Sequence, residues 1–259
     1  MNAKPITYHI IGGGIAGLYC AYLLKQKHPR IRTVVYEAGE NIGGRCRSYW
    51  DEEFGHALDN ATHVIIGANK KMRKFVKDGE WCLTHFFWNA AKETCDNKLL
   101  PALGHILKSC CNTQAQDIAP IIGKKILRRT FPWTKNQRKV YFSKQDLSQR
   151  IINVLAAYAD EVRLNSKLLK IETQFGRAAQ LNFNNGVVEI GADDKVIVAL
   201  DNRNCAKLLG TEELPHNSII NIFYHTSQKI FLPQGASFVG ILQGIGDWAF
   251  VNEDILAIT

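Results

Sequence analysis

A glycine-rich turn near the N-terminus constrains this chain more than any other feature. Ile6-Thr7-Tyr8-His9-Ile10-Ile11 runs directly into Gly12-Gly13-Gly14-Ile15-Ala16-Gly17. About twenty residues after the glycines, Thr33-Val34-Val35-Tyr36 ends on the acid Glu37. The first apolar run reads as a buried parallel strand. Gly12 lets the chain turn tightly off it, Gly14 lets the backbone approach a pyrophosphate, and Gly17 lets the next helix pack close to the sheet. From Ile15 to about His28 the pattern is helical, with Ile15, Leu18 and Tyr22 on one face, and Pro29 ends it. The unpaired N–H groups at Gly14–Gly17 and the positive end of the helix dipole form an anion site. The Glu37 carboxylate suits two ribose hydroxyls and repels a 2′-phosphate. A glycine fingerprint alone is a weak signal. Here a strand precedes it, a helix follows it and an acid stands at the right distance, so it reads as a dinucleotide site.

Gly43-Gly44-Arg45-Cys46-Arg47-Ser48 follows Glu37 closely and resembles the second signature of the flavin amine-oxidase superfamily. The resemblance implies FAD as the cofactor, with Arg45 as a fixed cation over its ribose or pyrophosphate, a task that suits a guanidinium fork. It implies an α/β fold: a Rossmann-like FAD-binding domain of the glutathione-reductase type with a reduced mixed α+β substrate region. The cofactor-binding residues would be Gly12, Gly14, Ile15, Ala16, Gly17, Glu37, Ala38, Gly43, Gly44, Arg45, Thr62 and Leu168, the last through its main-chain groups to adenine.

A narrower likeness lies in Leu58-Asp59-Asn60-Ala61-Thr62-His63-Val64-Ile65-Ile66-Gly67. It is similar to the Asp-Asn-Gly-Gln-His segment of the hydroxysqualene dehydroxylases. Phe87-Trp88-Asn89, Phe142–Leu155 and Asp247-Trp248-Ala249-Phe250 resemble later stretches of that group. The resemblance implies hydride transfer with flavin on a lipophilic isoprenoid, with His63 near the flavin as the one catalytic candidate. A histidine satisfied by backbone groups is an equally open reading of His63. Asp59 and Asn60 read as loop-fixing residues. There are departures from the pattern. Ala61 and Thr62 stand where the group has Gly-Gln, and the stretch from Gly67 to Phe87 is short. A C-terminal flavin motif, a Gly-Asp step opening a helix, is missing, since Gly246-Asp247 runs into strand-like sequence. A shortened gene product is therefore expected, and a non-catalytic FAD- or nucleotide-binding remnant is the alternative function. A third alternative, an NAD-linked dehydrogenase, is disfavoured by Gly44-Arg45.

The 259 residues are 46 % apolar and 22 % charged, enough for a true core in one large or two modest domains. Residues 1–67 and 146–205 read as the FAD-binding domain, and 68–145 and 206–259 as the substrate region. The net charge is +8, which favours anionic partners. Seven cysteines, an odd number with no C-x-x-C spacing, argue against a disulfide framework or a zinc site and for reduced thiols in the cytoplasm. No metal is expected. The first strand starts too early to leave room for a signal peptide, and no apolar stretch is long enough to span a bilayer.

Ala68–Lys77 reads as an amphipathic helix with a basic face, whose plain reading is a solvated surface and whose alternative is peripheral contact with anionic lipid. Trp81, Phe86, Phe87 and Trp88 read as core, or as the lining of a hydrocarbon pocket. A second basic stretch runs from Lys124 to Lys139 around Phe131 and Trp133. It matches no nucleic-acid module, and no nucleic-acid partner is expected. Asp146–Ala159 reads as a helix and Glu161–Leu164 as a strand. Lys167–Glu172, Ala178–Phe183 and Val187–Ile190 read as a meander turning at Asn184-Asn185-Gly186. Lys195–Leu200, Ile219–His225 and Ser237–Leu242 read as further strands.

Overall fold

A computed structural model describes residues 5–60, 62–66, 69, 71–76, 81–82, 85–89, 94–95, 99–130, 140–143, 146–252 and 254–259. In chain order the elements are β1 (Thr7–Ile11), α1 (Ile15–Lys27), β2 (Arg32–Tyr36), β3 (Ser48–Asp51), β4 (His56–Asp59) and β5 (Val64–Ile66). A 3-10 turn at Met72–Val76 precedes β6 (Trp81–Cys82), β7 (His85–Asn89), β8 (Thr94–Cys95), α2 (Leu99–Cys111) and α3 (Pro120–Thr130). After β9 (Val140–Ser143), a π-helical turn at Ser148–Ile152 runs into α4 (Asn153–Ala156). Next come β10 (Glu161–Arg163), β11 (Leu168–Gln174), β12 (Arg177–Phe183), β13 (Gly186–Glu189), β14 (Lys195–Val198) and α5 (Asn202–Leu209). The last strands are β15 (Ile222–His225), β16 (Phe238–Leu242), β17 (Trp248–Asn252) and β18 (Ile255–Ile258).

The chain divides into two compact units. The first comprises Met1–Tyr49, Leu58–Asn60 and Asp146–Pro215. Its centre is an all-parallel sheet in the order β10-β2-β1-β14. Strand alternation sends successive side chains to opposite faces. Ile11, Val34 and Tyr36 join Leu181 and Phe183 of the antiparallel meander β11-β12-β13 in one buried cluster. The Tyr36 and Phe183 rings stack at 4.5 Å. Leu18 and Ala21 are the buried side chains of α1, which packs on α4, and Tyr22 meets Tyr158 edge-on at 4.7 Å. Asp160 pins the far end of this βαβ unit. Its carboxylate accepts hydrogen bonds from the Lys25 ammonium (2.9 Å) and from the Thr33 N–H (2.8 Å).

The second unit comprises Trp50–Ala57, Ala61–Gln145 and His216–Thr259. It holds a six-stranded sheet, β15-β18-β17-β16-β7-β8, in which only the β16–β7 pair runs parallel. A three-stranded antiparallel sheet, β5-β9-β6, contributes Phe142 to a core with Phe238, Phe250 and Ala257. The ribbon β3-β4 has residues in both units.

Most expected elements are present, and four expectations need correction, the first being that the strand expected over Ile219–His225 begins only at Ile222. Within Ala68–Lys77 the described residues form only a 3-10 turn over Met72–Val76, with Lys74 over the Phe75 ring at 5.0 Å. Ala68, Lys70 and Lys77 lie outside the described residues. The helix expected over Asp146–Ala159 ends sooner, at Ala156, and opens as a π-turn. The strand expected over Lys195–Leu200 ends at Val198 and is half-buried rather than fully buried. The side chains of Trp81, Phe86, Phe87 and Trp88 lie outside the described residues, as do Phe131 and Trp133. Helices α2 and α3 were not expected. Pro101, Gly104, Pro120 and Gly123 break their helical pattern at the level of sequence, yet both prolines fall in the first turn, where a missing N–H costs nothing.

His9 is buried in the middle of the parallel sheet. Its Nδ1 pairs with the Tyr36 hydroxyl at 2.9 Å, while Nε2 stands 3.8 Å from Asp194, beyond hydrogen-bond reach. Burial pushes its pKa below the ordinary 6.5, against the upward pull of Asp194, and Arg163 and Arg32 add to the lowering. The unfolded chain therefore takes the proton first. Stability is full above the unfolded value and falls as pH drops from there toward the folded value. In the second unit His105 behaves alike, lowered chiefly by burial. The unfolding free energy, followed by chemical denaturation between about pH 8 and pH 5.5, is expected to fall by up to about 1.4 kcal/mol per pH unit per histidine. His9→Gln should flatten part of that slope, and an unchanged slope would refute the assignment.

Candidate functional site

The turn between β1 and α1 is held by contacts that only glycine allows. At Gly12 φ is +110°, and a Cβ there would lie 2.6 Å from the Ala199 carbonyl oxygen. At Gly17 a Cβ would lie 2.0 Å from the Gly12 carbonyl oxygen. These two glycines are therefore required by the protein's own packing. Gly14 differs. Its φ is −73°, an ordinary value, and a Cβ built on it meets no atom within 4 Å. It is the N-cap of α1 and contributes no side-chain cap. Its carbonyl accepts the Leu18 N–H (3.0 Å), which leaves the first-turn N–H groups of Ile15, Ala16 and Gly17 without helical partners. The helix carries no acid in its first turn and has Lys25 and Lys27 in its last, so neither end weakens the positive dipole at Gly14.

The sheet order supplies the rest. Neighbours of β1 lead away on both sides, β2 and β10 one way and β14 the other. The crevice at such a reversal, beyond the strands' carboxyl ends, is where open α/β sheets bind ligands. The Gly12 turn stands at that end of β1. Across the crevice Asp201 caps α5 by accepting the Asn204 N–H at 3.1 Å. Its bonds with Asn204 hold its carboxyl below the usual range, with a smaller contribution from Arg45. Asp201 and the Ala199 wall were not singled out in the sequence. The only available signal was an Asp at N-cap spacing before α5.

Glu37 follows β2 directly and is gripped by backbone. One carboxylate oxygen accepts the Gly13 N–H (2.9 Å) and the other the Gly39 N–H (2.9 Å). Its own N–H donates to the Arg163 carbonyl, and its carbonyl accepts the Ser166 N–H, each at 2.8 Å. Each carboxylate oxygen keeps a second lone pair for an incoming hydroxyl. The glycine pair joins the same corner. The Gly43 N–H donates to the Gly13 carbonyl at 2.8 Å, and Gly14 and Gly43 form a parallel bridge. Gly43 and Gly44 both have positive φ, and a Cβ on Gly44 would lie 3.4 Å from the Gly14 Cα. Ala38 and Arg45 are exposed beside them, and the Asn60 amide reaches the Arg45 carbonyl at 3.4 Å. Leu168 begins β11, two residues beyond the Ser166 contact to Glu37, with its side chain packed against the Tyr36–Phe183 cluster. The first unit thus brings together Gly12, Gly14, Ile15, Ala16, Gly17, Glu37, Ala38, Gly43, Gly44 and Arg45, with Leu168 nearby. Thr62 and His63 are half-buried in the second unit, between β4 and β5, and Ala61 lies outside the described residues. Asp59 accepts the Ser48 hydroxyl and so fastens its own loop. Burial, with a smaller push from Asp59, raises the Cys46 thiol to about 11, so it stays protonated and unreactive.

With this geometry in view, the chain can be set beside known proteins. The NAD(P)-binding Rossmann-like domain matches over residues 10–78. The hydroxysqualene dehydroxylase of Sinorhizobium fredii is 22 % identical over 98 % of this chain and 76 % of its own length. That of Zymomonas mobilis is 24 % identical over 97 % of this chain and 75 % of its own. A putrescine oxidase variant with redesigned cofactor binding superposes with a TM-score of 0.58, at 12 % identity, over 98 % of this chain and 76 % of that one. The fold is Rossmann-like in the first unit, and its likeness to the putrescine oxidase variant is one of fold. The near-full-length likenesses are to hydroxysqualene dehydroxylases in sequence and to an amine oxidase in fold, which is consistent with a flavin or nucleotide cofactor.

The glycine contacts predict opposite outcomes for two similar substitutions. Gly17→Ala should cost on the order of 3 kcal/mol or abolish folding, since the helix must retreat from β1. Gly14→Ala should change stability by about 1 kcal/mol at most. Chemical denaturation of both variants checks this, and equal losses would contradict it.

Proposed function

We propose that this protein binds FAD at the β1–α1 turn and is an oxidoreductase. One observation carries the reading. Gly14 is a glycine that the protein itself does not need, because neither its backbone angles nor its surroundings exclude a side chain. Close approach of a ligand does need it. A diphosphate at Gly14–Gly17 would take the unpaired N–H groups of the first turn. Glu37, already oriented by two backbone donors, would receive the ribose hydroxyls without first losing side-chain freedom. Arg45 beside Gly44 would neutralise phosphate charge, and the start of β11 at Leu168 would offer main-chain groups to adenine. The glycine pair at Gly43-Gly44 favours FAD over a nicotinamide cofactor. The flavin, when bound, supplies the hydride chemistry, and the chain's own task is to align a substrate C–H or C–O bond and keep water out.

The likeness to hydroxysqualene dehydroxylases supports a lipophilic isoprenoid substrate, with His63 as donor of a proton or hydrogen bond. The five cysteines whose side chains are described are unpaired, which supports a reducing, cytoplasmic setting, and a lipid-borne substrate calls for peripheral contact with a membrane. A second reading, a nucleotide-binding protein without catalysis, is favoured by one observation. After Gly246-Asp247 the chain continues as strand β17, not as a helix whose dipole could face a flavin.

Protein purified with added FAD should be yellow and bleach with dithionite. Gly14→Ala should weaken flavin affinity at least about tenfold while folding normally, and Glu37→Ala by about 1.5–3 kcal/mol. Tight NADH binding with FAD ignored would overturn the cofactor assignment. Bound flavin whose reduced form no isoprenoid alcohol reoxidises would favour the second reading.

A further inference from the structure

Helix α3 presents one face that its own unit leaves open. At about 100° per residue, Ile121, Ile122, Lys124, Lys125 and Arg128 fall within an arc of about 160°. All five are exposed, Ile121 at 79 % and Ile122 at 49 %. Gly123, Ile126 and Leu127 on the opposite side are partly buried, and α3 packs against α2. A second pair of exposed isoleucines lies on a segment tied to the end of α2. Asn112, just past α2 with φ +47°, donates to the carbonyls of Asn217 (3.1 Å) and Ser218 (3.3 Å), and Asn217 donates back to the Asn112 carbonyl (2.6 Å). These bonds tie the segment that continues into Ile219 (57 % exposed) and Ile220 (74 % exposed) to the turn between α2 and α3.

We infer that the α3 face and Ile219–Ile220 form a docking surface for an anionic lipid bilayer. The peripheral contact proposed above is thereby given a location, and the inference rests on that reading only for its biological purpose. Four exposed aliphatic side chains suit the acyl boundary, and the lysines and arginine beside them suit phosphate head groups. Two other occupants fit less well. Nucleic acid would use the cations but has no use for isoleucine, since bases stack on aromatic rings, and the described part of this face holds none. In a two-fold pairing of two copies the patch would meet itself, setting cations against cations in a chain of net charge +8. Among the described residues no helix is long and apolar enough to cross a membrane, so the contact is with the surface.

Co-sedimentation of the full chain, without flavin or substrate, with phosphatidylcholine vesicles with or without roughly 30 % phosphatidylglycerol tests this. Binding to the anionic vesicles is expected to be at least about tenfold tighter and to weaken with salt. Ile121→Ser with Ile122→Ser, and separately Ile219→Ser with Ile220→Ser, should each lose several-fold in partitioning with an unchanged unfolding midpoint. Lys124→Glu with Lys125→Glu should abolish the preference for anionic lipid. Equal binding to both vesicle types, or variants that bind like the wild type, would overturn the proposal. So would a single-stranded RNA that binds this face more tightly than the vesicles, or a dimer that the isoleucine variants dissolve. Since no cofactor is present in the assay, failure here leaves the flavin reading standing, and failure of flavin binding leaves this one standing.

Discussion

The absence of a side chain at Gly17 is the condition on which the first unit rests. With a Cβ excluded to 2.0 Å from the Gly12 carbonyl, the first turn of α1 sits directly on the end of β1. That proximity aims the helix's free N–H groups at the crevice where the sheet order reverses. It also places the Gly13 N–H and carbonyl where they can serve Glu37 on one side and Gly43 on the other. One missing methyl thus sets the positions of the free first-turn N–H groups, the acid and the second glycine pair. None of these contacts involves a large buried surface. They are short-range and directional, so small displacements cost much.

The parts of this arrangement that were legible in the sequence are those fixed by local rules. Gly12, Gly17 and Glu37 could be assigned because a tight turn, a close helix and an acid after a strand each demand a residue type at a fixed offset. The meander was legible for the same reason: alternating strands flank a two-residue turn before Gly186, whose φ is +150°. What the offsets could not supply is partnership. That Ala199 forms the wall behind Gly12 depends on β14, which lies far along the chain, and that Glu37 takes the Gly13 and Gly39 N–H groups depends on the fold of the glycine turn rather than on any offset.

The second unit was much less legible. Its six-stranded sheet joins β7 to β16 in parallel, and no local pattern announces a pairing between segments so distant. Helices α2 and α3 were obscured because proline and glycine are read as breakers, although a proline in a first turn breaks nothing. The basic segment around Met72 erred in the other direction. Spacing alone suggested an amphipathic α-helix, and the described residues make one tight 3-10 turn. Charge at helical spacing is a weak guide where few apolar residues fix a buried face. The Thr62–His63 segment illustrates the limit for catalysis. Its likeness to a family motif could be read, but the described geometry of the first unit neither includes nor requires it.

The parallel pairing of β7 with β16 also bears on how the chain is made. A ribosome releases β7 long before Phe238–Leu242 exists, and at about 5–20 residues per second the wait is on the order of ten seconds. Throughout that interval β7, whose sequence is His85-Phe86-Phe87-Trp88-Asn89, lacks its parallel neighbour. The first unit, whose last segment ends at Pro215, is therefore fully synthesised while β7 still awaits its parallel neighbour.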